Sequence, residues 1–181
     1  MKTTIALFCI IFCTNLVAQT NYYKKTQILN ESGHLYQCDV ATSQMVTLYD
    51  INNKLTYERQ YDKTTGTIPS IEEFMKLDDT KNGIIMRKNA ERIINRAFPI
   101  AEIDRLRGAS FNVKLYISPE TGKVMEVVFS FPTFNLFATV PLSTYIKIET
   151  ELKNSLKYTP TEYGKNLNYI FRGWRHKLTF Q

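Results

Sequence analysis

The stretch FNVKLYISPETGKVMEVVFSF, residues 111–131, alternates apolar and polar side chains on both sides of a short turn. Side chains at alternate positions of a strand point to the same face. The positions that share the apolar face are Phe111, Val113, Leu115 and Ile117, then Met125, Val127, Phe129 and Phe131. Gly122 lies in the intervening turn. The stretch therefore predicts a β-hairpin whose apolar side must be covered by another layer.

The residues after this hairpin predict a helix and then a final strand. Residues 141–156, PLSTYIKIETELKNSL, place apolar side chains at helical spacing, and Pro141 suits the first turn. Residues 168–180 are rich in aromatic and basic side chains, and Gly173 marks a bulge or a close approach. The last part of the chain therefore predicts the order strand, strand, helix, strand.

The residues before the hairpin predict a β-meander and then helices. Short apolar runs bounded by turn residues occur at 25–30, 34–40, 44–50 and 54–61, which predicts four strands. Ser70 and Glu73 have the spacing of a helix capping box. Residues 84–98 and 101–108 predict two helices, of which the second ends at Gly108. The fold class that we predict is α+β.

The first 18 residues predict a secretory signal peptide. Lys2 precedes an apolar run from Ile5 to Phe12, a polar break follows at Thr14–Asn15, and cleavage would occur after Ala18. A retained signal anchor is the alternative. We expect export to the periplasm or cell surface of a Gram-negative bacterium. The rest of the chain divides into residues 19–108 and 109–181, which we expect to pack as one compact domain.

Charge and cysteine content narrow the function classes. The formal net charge is +6, but Lys and Arg are scattered along the chain, which indicates a solvated surface more than a nucleic-acid site. Cys9 and Cys13 would leave with the signal peptide, so Cys38 has no partner for an internal disulfide. Because Cys38 lies in an alternating run, we expect a buried and inert thiol.

The sequence contains no recognisable catalytic or metal-binding motif. The two histidines, His34 and His176, are not spaced as metal ligands, and nucleophile elbows and phosphate loops are absent. Adjacent acids such as Glu72 and Glu73 are explained by helix ends and solvation. We therefore predict no enzyme activity, no catalytic residue, no metal and no cofactor.

The last strand carries the residues that we regard as candidates for binding. Aromatic and arginine side chains together are typical of interaction hot spots and sugar-binding platforms. The candidates are Trp174, Tyr169, Phe171, Arg172 and Arg175. The alternative is that alternate members of this strand fill the core while the basic residues face solvent.

Residues 109–181 resemble the C-terminal domain of TonB-type energy-transducing proteins. The resemblance rests on the hairpin with Gly122, on Tyr158-Thr159-Pro160 and Gly164-Lys165 in the following loop, and on a last strand that ends at Phe180. It implies a helix packed on a small antiparallel sheet and an edge that can pair with an extended peptide. The chain has neither a long proline-rich span nor a clear anchor, so the energy-transducing role is not implied. The whole chain is similar to small exported proteins of unknown function from Gram-negative anaerobes.

Together these features predict an exported, non-enzymatic protein-interaction domain, an adaptor or scaffold of the cell envelope that binds a protein or peptide by strand addition. A module that binds cell-surface glycan or peptidoglycan, with Trp174 and nearby tyrosines as its platform, is the alternative. We expect neither nucleic acid as a partner nor an integral membrane segment after signal cleavage.

Overall fold

A computed structural model describes residues 20–69 and 80–179, with the backbone alone for residues 80–84. Three features predicted from the sequence lie outside these residues. They are the signal peptide at 1–18, the capping box of Ser70 and Glu73, and the end of the last strand at Phe180.

The described residues form one antiparallel sheet of six strands in the order β1-β2-β3-β5-β4-β6. The strands are β1 (Gln27–Glu31), β2 (His34–Val40), β3 (Met45–Asp50), β4 (Phe111–Ile117), β5 (Val124–Pro132) and β6 (Ile170–His176). The predicted meander supplies β1 to β3, and the predicted hairpin is β4 and β5. Because β3 pairs with β5, the two halves of the chain share a single sheet.

In residues 20–69 and 80–179, three α-helices accompany the sheet, and the predicted α+β class is confirmed. They are α1 (Thr80–Arg96), α2 (Ile100–Arg105) and α3 (Leu142–Ser155), and two short 3-10 helices occupy Leu136–Thr139 and Gly164–Asn166. Helix α3 packs on β5 and contacts β1, while α1 packs beside α3. The strand, strand, helix, strand order predicted for the last part of the chain is that of β4, β5, α3 and β6.

The helix-covered face of the sheet holds an aromatic core. Its fully buried rings are those of Tyr23, Tyr36, Tyr145, Phe111, Phe129, Phe131 and Phe137. The rings of Phe131 and Tyr145 stack with their centroids 5.6 Å apart, and the Tyr145 hydroxyl donates to the carbonyl of Phe137 over 2.8 Å. The only polar group of Tyr145 is thus satisfied inside the apolar layer.

The predicted fourth strand of the meander, residues 54–61, is wrong. The place beside β3 is taken by β5, so this segment instead lies across the other face of the sheet. The backbone N–H groups of Lys54 and Leu55 donate to the Glu126 carboxylate over 2.7 and 2.9 Å. The Tyr57 hydroxyl donates to Asp39 over 2.7 Å. Leu55 packs against the buried cluster of Tyr116, Val128 and Tyr169, whereas Tyr57 and Tyr61 are exposed, so the alternation in this segment does not mark a paired strand.

A register shift in the hairpin changes one predicted core position. The pairing of β4 with β5 is irregular between Tyr116 and Ile117, where Val124 rather than Met125 opposes Ile117. Val124 is therefore buried, and Met125 is exposed. This is the consequence expected of a bulge, because one extra residue reverses the side-chain alternation on its strand.

The last strand is shorter than predicted. It spans Ile170–His176, because beyond His176 the chain leaves the sheet and Thr179 accepts a hydrogen bond from Asn95 of α1 over 2.9 Å. Gly173 is not a bulge, since the pairing of β6 with β4 is regular along its length. It is a close-approach point, because a Cβ atom there would lie 2.8 Å from the Phe171 ring.

Cys38 is buried and free, as the sequence predicted. Its thiol lies 3.6 Å from the Lys25 carbonyl, and burial raises the pKa of the thiol to about 11. A thiol with so high a pKa is a poor nucleophile at neutral pH.

Candidate functional site

Strand β6 stands at one end of the sheet, and β4 is the one strand that pairs with it among the described residues. An edge strand presents backbone groups that a further strand can bond. The opposite edge is β1, which has five residues where β6 has seven. Strand β6 therefore offers the longer edge, and we call it the β6 edge.

The ladder fixes which backbone groups of β6 point outward. Two hydrogen bonds show which residues of β3 bond each neighbouring strand. Ala41 N–H donates to the Met45 carbonyl on the β2 side, and Thr133 N–H donates to the Gln44 carbonyl on the β5 side. Hydrogen-bonded and non-bonded pairs alternate along an antiparallel ladder. When this alternation is followed from β3 through β5 and β4 to β6, the backbone N–H and C=O groups of residues 172, 174 and 176 point toward β4. The outward groups are those of Phe171, Gly173 and Arg175.

The start of the β6 edge is already bonded within the chain. The Gln60 side-chain amide donates to the Tyr169 carbonyl over 2.7 Å, and Asn168 N–H donates to the Tyr61 carbonyl over 3.1 Å. An isolated bridge joins Asp62 to Leu167. These contacts end at residue 169, so the accessible part of the edge begins at Phe171.

The five candidate binding residues lie on two different faces of the sheet. Trp174 and Arg172 pair with Val113 and Leu115 on the helix-covered face. Phe171 and Arg175 lie on the opposite face, and Tyr169 packs there with Tyr116. The structure therefore does not bring the five into one surface, because neighbouring residues of a strand point in opposite directions.

Neither of the two largest candidates presents a free ring. The guanidinium carbon of Arg87 on α1 lies 4.6 Å from the centroid of the Trp174 ring, so a cation covers it. Tyr169 is 4% exposed, its ring centroid lies 5.1 Å from that of Tyr116, and its hydroxyl donates to the Glu58 carbonyl over 2.7 Å. Both rings are parts of the packed structure.

Two clefts flank α1, and their walls concentrate positive charge. One cleft, of about 510 Å³, lies between α1 and the end of β6, and we call it the β6 cleft. Its lining residues are Lys88, Glu91, Arg92, Asn95, Arg175, His176, Lys177 and Thr179. The other, of about 400 Å³, lies between α1 and α3 and includes Arg92, Arg96, Lys147 and Glu151. Arg92 lines both clefts.

The exposed cations around these clefts come from three separate parts of the chain. Lys88, Arg92 and Arg96 are four residues apart on α1, so they share one side of that helix. Lys147 is added by α3, and Arg175 and Lys177 by the end of β6. Residues 84–98, which predict α1, carry basic side chains along the polar side of that helix. The sequence did not predict that this basic side of α1 lies beside the end of β6, because that position depends on tertiary packing.

A buried polar pair forms the floor of the β6 cleft. His176 is 3% exposed, and its Nε2 lies 3.0 Å from Oδ1 of Asn95, which is also buried. Burial lowers the pKa of His176 to about 4, with a smaller opposing effect from Glu91 and a lowering effect from Arg87. The imidazole is therefore neutral at neutral pH, and the positive charge of the cleft comes from its rim.

One buried carboxyl group lies elsewhere, between α3 and the meander. Glu149 accepts a hydrogen bond from the Tyr36 hydroxyl and is ion-paired with Lys153 at 2.5 Å. Burial raises the pKa of this carboxyl. Glu149 lines neither cleft, and its partners tie β2 to α3. Within residues 20–69 and 80–179, no three His, Cys, Asp or Glu side chains are grouped to bind a metal ion.

The helices of the described ranges are all too short or too polar to cross a membrane.

Comparisons with known proteins assign the chain to a family. The model of DUF5043, described as a domain of unknown function, matches residues 19–174. The chain is also similar to the crystal structure of a DUF5043 family protein from Bacteroides uniformis ATCC 8492, with 40% sequence identity, 90% of each chain covered and a TM-score of 0.83. A search of curated proteins found no match.

These matches do not show the resemblance of residues 109–181 to the TonB C-terminal domain, which stays a prediction. The family model covers most of the chain, from before β1 into β6, and the solved structure agrees with the same fold over nearly the full length. The chain belongs to the DUF5043 family.

Proposed function

We propose that this chain is an exported, non-enzymatic interaction domain of the cell envelope that binds an extended segment of a partner protein along the β6 edge. The observation that carries the proposal is the position of β6 at the end of the sheet, with the backbone groups of Phe171, Gly173 and Arg175 directed outward. An added strand gains main-chain hydrogen bonds from such groups and takes its specificity from nearby pockets.

Two further features support this function. The β6 cleft lies beside the same edge, where alternate side chains of an added strand would point toward α1. The resemblance to the TonB C-terminal domain, stated from the sequence, also implies an edge that pairs with peptides. The location in the cell envelope rests on the predicted signal peptide at residues 1–18.

The glycan-binding alternative is less well supported by the geometry. A sugar platform needs an accessible aromatic face, but Arg87 covers the Trp174 ring and Tyr169 is buried. Phe171 and Trp174 lie on opposite faces of the strand.

Paired substitutions at one position test the proposal. Peptides selected for binding from a random display library serve as the probes, and one uncharged peptide is used for the comparison. Arg175→Pro removes the outward N–H and the side chain, whereas Arg175→Ala removes the side chain and keeps the N–H. We expect the proline variant to lose the peptide while the alanine variant retains it. The pair Phe171→Pro and Phe171→Ala repeats the comparison at a second outward group.

Thermal melting of each variant controls for folding. Because outward N–H groups make no bond to β4, both proline variants should melt cooperatively, unlike Trp174→Pro, which removes a bond of the ladder. Equal binding by folded proline and alanine variants, or failure to select any peptide, would contradict strand addition.

A further inference from the structure

The β6 edge and the basic walls of the β6 cleft form one continuous surface. Arg175 at the end of β6, Lys177 just after it, and Lys88 and Arg92 of α1 all line this cleft. All four are exposed. The Arg175 Nε also donates to the Ser110 hydroxyl over 2.6 Å. The backbone N–H of Arg175 is also one of the three outward groups of the edge. A segment that pairs with β6 must therefore run past this cleft.

The charge of the cleft is strongly unbalanced. In the part of the chain that the structure describes, its walls carry four cationic side chains and one carboxylate, that of Glu91. Glu91 is already ion-paired with Arg87, whose Nε lies 2.7 Å from the Glu91 carboxylate. The buried His176 at the floor is neutral at neutral pH because burial lowers its pKa. Like charges that are held together favour a partner of opposite sign.

The shape of this surface distinguishes among anionic partners. The cleft is concave, with a volume of about 510 Å³, which accommodates individual side chains better than a flat lipid surface. Acidic polysaccharides could use the cations, but they have no backbone amides with which to continue along the edge. A peptide can use both features, because its main chain pairs with β6 while its alternate side chains reach the cleft.

We propose that the partner segment is acidic, with Asp or Glu side chains at the alternate positions that enter the β6 cleft. This inference rests on the proposed strand addition and names the class of peptide that the edge selects. Cations on an edge strand also oppose pairing between two copies of the same strand. The same residues thereby favour an acidic partner over self-association.

The test measures binding of synthetic peptides that alternate valine with glutamate, glutamine or lysine, by fluorescence anisotropy at low salt. We expect the glutamate peptide to bind about tenfold more tightly than the glutamine peptide, and the lysine peptide to bind most weakly. The preference should shrink as salt is added, because exposed ion pairs are screened.

Two double variants, each of which removes two lysine charges, show whether the position of the charges matters. The double variant Lys88→Gln/Lys177→Gln should lose the preference for glutamate while it keeps its affinity for the glutamine peptide. The double variant Lys24→Gln/Lys54→Gln removes the same charge from exposed positions that line neither cleft, and it should bind like the original protein.

The outcomes separate this inference from the proposed function. If glutamine and glutamate peptides bind equally and Arg175→Pro abolishes both, strand addition stands and the acidic partner is rejected. If the glutamate peptide binds but Arg175→Pro has no more effect than Arg175→Ala, the basic cleft stands and strand addition is rejected. Tight binding to heparin or to phosphatidylglycerol vesicles, with no binding of the glutamate peptide, would overturn the choice of an acidic peptide.

Discussion

The guanidinium of Arg87 lies over the ring of Trp174, with 4.6 Å between the guanidinium carbon and the ring centroid. This contact joins α1 to β6 and explains why the one tryptophan of the chain is part of the packed structure. It also holds α1 at the position where its basic side faces the end of β6. The candidate site therefore depends on a contact between two residues that lie 87 positions apart in sequence.

We predict that Arg87 and Trp174 are energetically coupled. A double-mutant cycle with Arg87→Met and Trp174→Leu should give a coupling of about 0.5–2 kcal/mol in the free energy of unfolding. Urea denaturation followed by circular dichroism measures it. Glu91→Gln is the control, because it removes the ion pair of Arg87 and leaves the Trp174 contact in place. A coupling near zero would mean that the two side chains are merely adjacent.

Gly122 should be far less tolerant of substitution than Gly66. Both have left-handed backbone angles, with φ of +69° and +70°, so alanine is strained at either position. A Cβ atom at Gly122 would also lie 1.9 Å from the Tyr158 carbonyl oxygen, whereas nothing lies within 4 Å at Gly66. We expect Gly66→Ala to cost about 1–2 kcal/mol of unfolding free energy. Gly122→Ala should cost at least about 3 kcal/mol, and similar losses for the two would contradict the close approach.

Acidification should destabilise the protein through His176. The folded-state pKa is lowered from 6.5 to about 4, so between these values the unfolded chain binds more protons than the folded one. The stability that the neutral imidazole contributes is present above pH 6.5 and is lost as the pH falls toward 4. We expect a loss of about 2–3 kcal/mol over this window.

Chemical denaturation at a series of pH values measures this effect. His176→Gln should flatten the profile in the same window, because an amide does not titrate there. His34→Gln, at the exposed histidine that begins β2, is the matched control. If His34→Gln flattened the profile as much as His176→Gln, burial of His176 would not be the cause.

The Tyr36 hydroxyl should contribute more stability than an otherwise similar tyrosine hydroxyl. Tyr36 donates to the buried Glu149 carboxylate, whereas Tyr116 donates to the neutral Thr56 carbonyl over 3.1 Å. Bonds to charged groups are the stronger class. We expect Tyr36→Phe to cost about 1.5–3 kcal/mol of unfolding free energy and Tyr116→Phe about 0.5–1.5 kcal/mol. Equal costs would indicate that Glu149 is neutral in the folded protein.

The local elements were predictable because the sequence carries their periodicity. The alternation in residues 111–131 predicted β4 and β5, and the spacing of apolar residues predicted α3. The fourth strand was wrong because residues 54–61 alternate as a strand does while the pairing position beside β3 is filled by β5. Alternation along a segment does not by itself show which neighbour, if any, pairs with that segment.

The candidate site was only partly predictable for the same reason. The aromatic and basic composition drew attention to residues 168–180, and among the described residues β6 is an edge strand, which the sequence had left open. The division of Trp174 and Phe171 between two faces follows from strand geometry alone. By contrast, strand geometry does not predict that Lys88 and Lys177 line the same cleft, because this depends on how α1 packs against the end of the sheet.

Amide hydrogen exchange along β6 tests strand addition most directly. In the free protein, the outward amides of Phe171, Gly173 and Arg175 should exchange faster than those of Arg172 and Trp174, which bond β4. Addition of a bound peptide should slow the three outward amides and leave the other two unchanged. If the outward amides stay fast in the complex while protection appears elsewhere, for example at Ile28 and Asn30 of β1, the β6 edge is not the binding site.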